Sequence, residues 1–449
     1  MHTSLTKAQA KTRIWAIAWP MTLSSVSMPL LGLVDTALLG HLDAAHYLGA
    51  VAIGANFIGL MYWSFGFLRM GTTGLIAQAF GRRWQSSDKE SFKEEINAVL
   101  FRALAIGVVL GGAVLIVTPL ISSQVVSWMQ ASENSAPLAK EYIDIRRYSA
   151  PAVFMTFAIS GWLVGSQQPR RALALVVTTN AINIVLDILF IVYLDWQSAG
   201  AAWATLIAEH LGLALGLYFL ASHSNVFDTT RWRKWLAPAL IKNMLAVNYY
   251  LLIRTLILML VFNFFTAQGA AFGDSTLAAN AILLQLFLFS VFVMDGFSYA
   301  AEALCGEAYG ARNATRFKQY IKLCGIRELQ TALAFGLFFA ALGAPTIAQF
   351  TDVTAVLDIA HTHRWWIIVL PLAGCLAYLF DGVSIGAGKT RAMLYSILIA
   401  TFAVFFPIWF TTKEPWGNNG LWLAFLCFNL ARGLYLWWFW RKEKLPESR

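Results

Sequence analysis

The sequence predicts an all-α integral membrane protein of twelve transmembrane helices, arranged as two six-helix lobes related by a pseudo-two-fold axis. Three observations predict it. Of 449 residues, 58% are hydrophobic and 13% charged, where a soluble globular chain carries about 25% charged residues; mean hydropathy is +0.61. Apolar runs long enough to cross a bilayer, about 20 residues at 1.5 Å each, recur from end to end. The third observation is an internal repeat. Residues 48–83 align without gaps on residues 277–312, most clearly QAFGRR over EAYGAR, and GWLVGSQQPR at 161–170 lies over GVSIGAGKTR at 382–391. Pro151 and Pro371 fall at similar places in the two copies.

In chain order the expected spans are 14–39, 47–80, 94–119, 137–165, 172–194 and 199–221 in the first lobe. The second holds 240–266, 276–308, 318–342, 356–387, 391–412 and 418–440. Continuous apolar segments of this length are helices, because lipid cannot hydrogen-bond an open backbone, and a barrel would show strands of about ten alternating residues. The first span follows Lys7, Lys11 and Arg13 and runs past any signal-peptide length to Gly40, so it reads as a retained helix. Domain limits follow: residues 1–221, a cytoplasmic linker at 222–239, and residues 240–449.

Loop charge orients the chain. The N-terminus, alternate loops and the C-terminal RKEKLPESR hold 23 of the 33 Lys and Arg residues, which puts both termini in the cytoplasm. The formal net charge of +9 is thereby accounted for by the bilayer as partner, and no nucleic acid is expected. Cys305, Cys324, Cys375 and Cys427 lack zinc-type spacing and read as small core residues. GVSIGAGKT has Val383 where a phosphate loop needs glycine, and His361 and His363 point to opposite helix faces, so no phosphate loop, metal site or catalytic set is expected.

Charged side chains inside spans each need a partner or a cavity, since insertion costs about 2.5–3.5 kcal/mol apiece. Asp35 stands in the first span after Pro20, Pro29 and Gly32. Pro29 cannot donate to the Ser25 carbonyl, so the helix is loosened just before the carboxylate and the three residues form an expected hinge. In the fifth span Asn180, Asn183 and Asp187 recur at helical spacing as one polar stripe, and in the sixth Thr205 and Glu209 share a face. If Asp35 and Asp187 share a pocket, they can exchange protons near neutral pH; the alternative is permanent pairing of Asp187 with an arginine. The second lobe differs, because Phe264 stands opposite Asp35. There Asp295, Ser298 and Glu302 form a stripe, with Asp381 in the tenth span and Arg254 and Arg327 in the seventh and ninth. These groups either neutralise one another or touch a ligand.

PLLGLVDTALLGHLDAAHYLGAVAIGA, RMGTTGLIAQAFGRR, TNAINIVLDILF, AGAAWATLIAEH, MDGFSYAAEALCGEAYGAR and YLFDGVSIGAGKTR resemble the multidrug and toxic compound extrusion (MATE) family, in its DinF branch. The resemblance spans the chain. It implies two six-helix lobes forming a V around a central cleft, and export of cationic, amphiphilic or aromatic compounds in exchange for H⁺ or Na⁺. It also implies an N-lobe site at Asp35, Asn183 and Asp187, with Thr205 at the sixth-helix threonine. Sodium-coupled relatives outside the branch carry an acid in the seventh helix where this chain has Arg254, which favours protons. The expected protein is a monomeric antiporter of the bacterial inner membrane, with no cofactor and H⁺ as coupling ion. A sodium-coupled exporter, a flippase for lipid-linked sugars and an intramembrane enzyme are the rivals.

Overall fold

A computed structural model of the chain describes residues 6–40, 45–83, 89–129, 131–222 and 231–445; the side chains at 30, 31, 33, 35–37, 39, 40, 45, 89 and 90 lie outside that description. All regular structure among the described residues is helical. The elements are α1 (Lys7–Gly40), α2 (Ala45–Ser64), α3 (Phe67–Arg82), α4 (Lys89–Trp128), α5 (Ser135–Arg146), α6 (Ala150–Gly165), α7 (Pro169–Asp187), α8 (Gln197–Ala221) and the short α9 (Trp232–Trp235). They continue as α10 (Pro238–Ala271), α11 (Asp274–Gly310), α12 (Ala314–Ile347), α13 (Thr354–His363), α14 (Trp365–Gly386), α15 (Thr390–Leu398), α16 (Phe406–Trp416) and α17 (Asn418–Lys442).

Among the described residues eleven helical runs are long and apolar enough to cross a membrane, and α1, at 34 residues, makes the expected twelve. Several crossings are composite. α2 and α3 join through a turn as His46–Arg82; α7 continues through a π-helical turn at Ile188–Tyr193; α15 and α16 are linked by another at Ile399–Phe405. Such wide turns are rare and concentrate at functional positions. The third and ninth crossings run past Pro119 and Pro345, beyond the expected ends, because helices in lipid re-satisfy the carbonyl a proline leaves free. The tenth is shorter than 356–387: it begins at Trp365, and α13 stands apart. α13 buries Val356 and Ala360 and leaves Asp358 outside, an amphipathic piece whose polar face has no place in hydrocarbon.

Two compact units result, Leu23–Leu245 and Met1–Thr22 with Ala246–Arg449, so the division falls within α1 and within α10. In the first unit, Tyr62 packs edge to face on Phe154 and Phe65 packs on the same ring at a tilt, and α9 lies on α4 through Arg102, which donates to the Trp235 carbonyl at 3.0 Å. The second has a core of stacked and T-shaped rings around Phe265, Phe287, Trp422, Phe425 and Phe428.

The repeat reappears as packing. A methyl group added to Gly161 or Gly165 of α6 would strike the Arg69 and Thr73 carbonyls of α3. One added to Gly382 or Gly386 of α14 would strike the Ser298 and Glu302 carbonyls of α11. The residues correspond at the repeat spacing, so each unit contains the same small-residue seam in which helices meet backbone to backbone. Within the second unit the N-terminal end of α1 is tied down as well. Arg13 donates to Glu307 at 2.5 Å and to the Tyr320 hydroxyl at 2.8 Å, and Trp15 meets Phe297 edge-on.

Candidate functional site

In the first unit the polar stripe of α7 touches both neighbours it needs. Asn180 Nδ2 lies 3.3 Å from the Ser27 carbonyl and 3.3 Å from the Ser27 hydroxyl. Ser27 stands two residues before Pro29, in the stretch of α1 where the proline removes the donor that the Ser25 carbonyl would otherwise receive. The amide of Asn180 therefore grips α1 at its loosened point. One turn further, Asn183 Nδ2 donates to Thr205 Oγ1 at 3.3 Å, and that hydroxyl donates to the Ala201 carbonyl at 2.9 Å. Asn183 is buried, and its Oδ1 accepts no hydrogen bond among the described residues. Asp187 is fully buried and is the last α-helical residue before the π turn. Of the hinge residues, Pro20 is buried, Pro29 half-buried and Gly32 exposed. Asp35 belongs to α1, one turn past Gly32, and its side chain lies outside the described residues.

Glu209, one turn beyond Thr205 on α8, is held from another side. Arg146 donates to its two oxygens at 2.5 and 2.9 Å and to Ser149 Oγ at 2.6 Å, and the Tyr62 hydroxyl caps the Arg146 carbonyl at 2.6 Å. Glu209 thus neutralises a buried guanidinium of the fourth crossing.

The second unit concentrates its charge around Asp381 of α14. Its Oδ2 accepts from Arg254 of α10 and, at 2.6 Å, from Arg432 of α17, all three side chains being nearly buried. Asp295 is half-buried and Glu302 buried, both on α11. Arg327 lies over the Trp15 ring, 5.6 Å from its centroid, and donates to Gln330 at 2.8 Å. Three polar groups here escape a reading of stripes alone: Arg432, Glu328 and Glu307. Arg432 is a lone charge in an apolar run, the same signal that singles out Asp35, whereas Glu328 follows Arg327 directly; what each one meets is decided by other helices.

Polar stripes lie along helices long and apolar enough to cross a membrane, and with the family match that follows the class is that of a multi-pass membrane transporter. The chain belongs to the MatE family, whose model matches residues 20–189 and 251–410. It is 36% identical over 437 residues to the DNA damage-inducible protein F of Escherichia coli strain K12, covering 96% of this chain and 92% of that one. The probable multidrug resistance protein NorM of Acinetobacter baylyi is 23% identical, with 92% of each chain covered. Among solved structures, the MATE transporter VcmN of Vibrio cholerae superposes with a TM-score of 0.87 at 21% identity, covering 97% of each chain. An outward-facing multidrug resistance MATE transporter gives 0.87 at 22%, covering 99% of this chain and all of that one. The fold is that of these transporters, and the family is one of transporters, not enzymes.

Proposed function

We propose that the protein is a multidrug exporter of the bacterial inner membrane, with both termini cytoplasmic, that acts as a monomer and expels cationic or amphiphilic aromatic compounds against an inward flow of protons. The observation that carries this reading is the grip of Asn180 on Ser27. It couples the acidic and amide-bearing stripe of α7 to the part of α1 that Pro29 weakens, one and a half turns before Asp35. In this reading Asp35 takes up a proton from the outer side; α1 then bends near Pro29, narrows the space bordered by Asn180, Asn183, Asp187 and Thr205, and expels the substrate. Each proton moving down the membrane potential supplies about 2.3 kcal/mol per 100 mV. The names of the relatives, a multidrug resistance protein among them, agree with the substrate class. An N-lobe stripe of acids and amides also suits a cation better than the pyrophosphate of a lipid-linked sugar.

The test is transport of ethidium into proteoliposomes with pH and Na⁺ gradients imposed separately. Uptake driven by the pH gradient alone is expected. Uptake driven only by sodium replaces the proton with Na⁺ as coupling ion, and no uptake under either gradient overturns the exporter.

A further inference from the structure

Charge compensation in the second unit is uneven. Asp381 receives two guanidiniums, whereas Glu328 of α12 receives none among the described residues. Glu328 is 1% exposed. Its Oε2 is buried without a hydrogen-bond partner, and its Oε1 lies 3.2 Å from Ser298 Oγ of α11. That same Ser298 Oγ lies 2.6 Å from the Tyr378 carbonyl of α14. A serine hydroxyl carries one hydrogen, and a backbone carbonyl can only accept. The shorter contact takes the Ser298 hydrogen, which leaves Ser298 Oγ an acceptor toward Glu328. The remaining contact is a hydrogen bond only when Glu328 carries a proton and donates it. An ionised Glu328 would set acceptor against acceptor and bury a charge with nothing to offset it.

The surroundings point the same way. The charged groups that act on Glu328 are Asp295 of α11 and Asp381 of α14, both acids. Cys324 on its own helix and Cys375 of α14 are its other titratable neighbours. Tyr378 turns its carbonyl to Ser298. Arg254 and Arg432 are committed to Asp381, Arg327 to Gln330 and the Trp15 ring, and Arg13 of α1 to Glu307 and Tyr320. Removing the proton requires Ser298 to leave the Tyr378 carbonyl or a guanidinium to leave Asp381. Either change acts on the α11–α14 seam, where the Ser298 backbone is packed against Gly382.

We propose that Glu328 is a proton-binding carboxylic acid of the second unit, which takes up a proton and releases it when substrate binds, in addition to the proton assigned to Asp35. This rests on the proton-driven reading above for its role, but not for its detection. Infrared spectroscopy of the purified full-length protein reads the carbonyl stretch of protonated carboxylic acids. A band present at neutral pH is expected to vanish in Glu328→Gln, to shift in Ser298→Ala, and to fall in the unsubstituted protein as pH rises or ethidium is added. Proton release on adding ethidium should drop about twofold in Glu328→Gln, because one of two linked groups is gone. A band unaffected by either substitution, or one that neither alkali nor ethidium changes, overturns the proposal; Ser298→Ala supplies the answer if Glu328→Gln does not fold. A titrating band in a protein that proves sodium-driven leaves this site standing and removes the proton-driven export. A silent band in a protein driven by a pH gradient does the reverse.

Discussion

Asn180 reaches Ser27 with one amide nitrogen, 3.3 Å from its carbonyl and 3.3 Å from its hydroxyl, so the fifth crossing holds the first two residues ahead of Pro29. Asn180→Ala removes both contacts and leaves the helices themselves intact. A hydrogen bond of this kind is worth about 0.5–1.5 kcal/mol net, so coupling should weaken by up to about tenfold while the protein still folds. The measurement is ethidium transport per unit of imposed pH gradient, normalised to protein in the membrane.

Asp35→Asn keeps the shape of the side chain and abolishes its titration. Efflux driven by a pH gradient should disappear, with expression and thermal unfolding temperature unchanged. Undiminished transport in this variant would remove Asp35 from the mechanism, whatever α1 does.

Buried ion pairs should rank by how thoroughly they are enclosed. Asp381→Ala leaves Arg254 and Arg432 facing each other without a counter-ion, a loss of about 3–5 kcal/mol by analogy with broken buried pairs. Glu307→Gln should cost less, because the Arg13 side chain is 27% exposed and water can replace its partner. Asp144→Asn, which breaks the surface pair with Lys140 at 2.7 Å, should change stability by under about 1 kcal/mol. Unfolding curves in one detergent test the order Asp381, Glu307, Asp144, and a flat series contradicts it.

Outside the membrane-crossing segments, Lys389 lies 2.6 Å from Glu443, just past the end of α17. Partial burial is the largest single effect and works against the lysine's charge, yet the hydrogen bond and charge of Glu443, together with Tyr309, outweigh it and raise the pKa above the ordinary lysine value. A raised pKa on a base stabilises the fold below that ordinary value, near 10.4, and the contribution fades as pH rises through the higher one. Lys389→Met should therefore narrow the gap between unfolding temperatures at pH 8 and pH 11. An unchanged gap would leave the pair without a role.

The crossings and the duplicated half were legible because both depend on spacing that a chain carries in itself: apolar run length, and glycines four apart in GWLVG and GVSIG. The hinge expected around Pro29 rests on a signal of the same local kind, a proline's missing donor. What was not legible is partner choice. Arg254 announces a buried charge, but that it shares Asp381 with Arg432 depends on α10, α14 and α17 meeting. Glu328 sits beside Arg327 in sequence, yet the two point to different neighbours. The start of the tenth crossing was misplaced because hydropathy averages over Asp358 and the two histidines, where the backbone breaks at Arg364 instead.

The glycine seams suggest how such a molecule can be remade. Contact there runs between main chains, so it places no demand on the chemistry of adjacent residues. Asp295 and Glu302 stand where the first copy has Gly66 and Thr73. A lineage can thus rewrite acids and bases on one duplicate while the frame keeps its shape, and two halves of common ancestry can come to answer different ions.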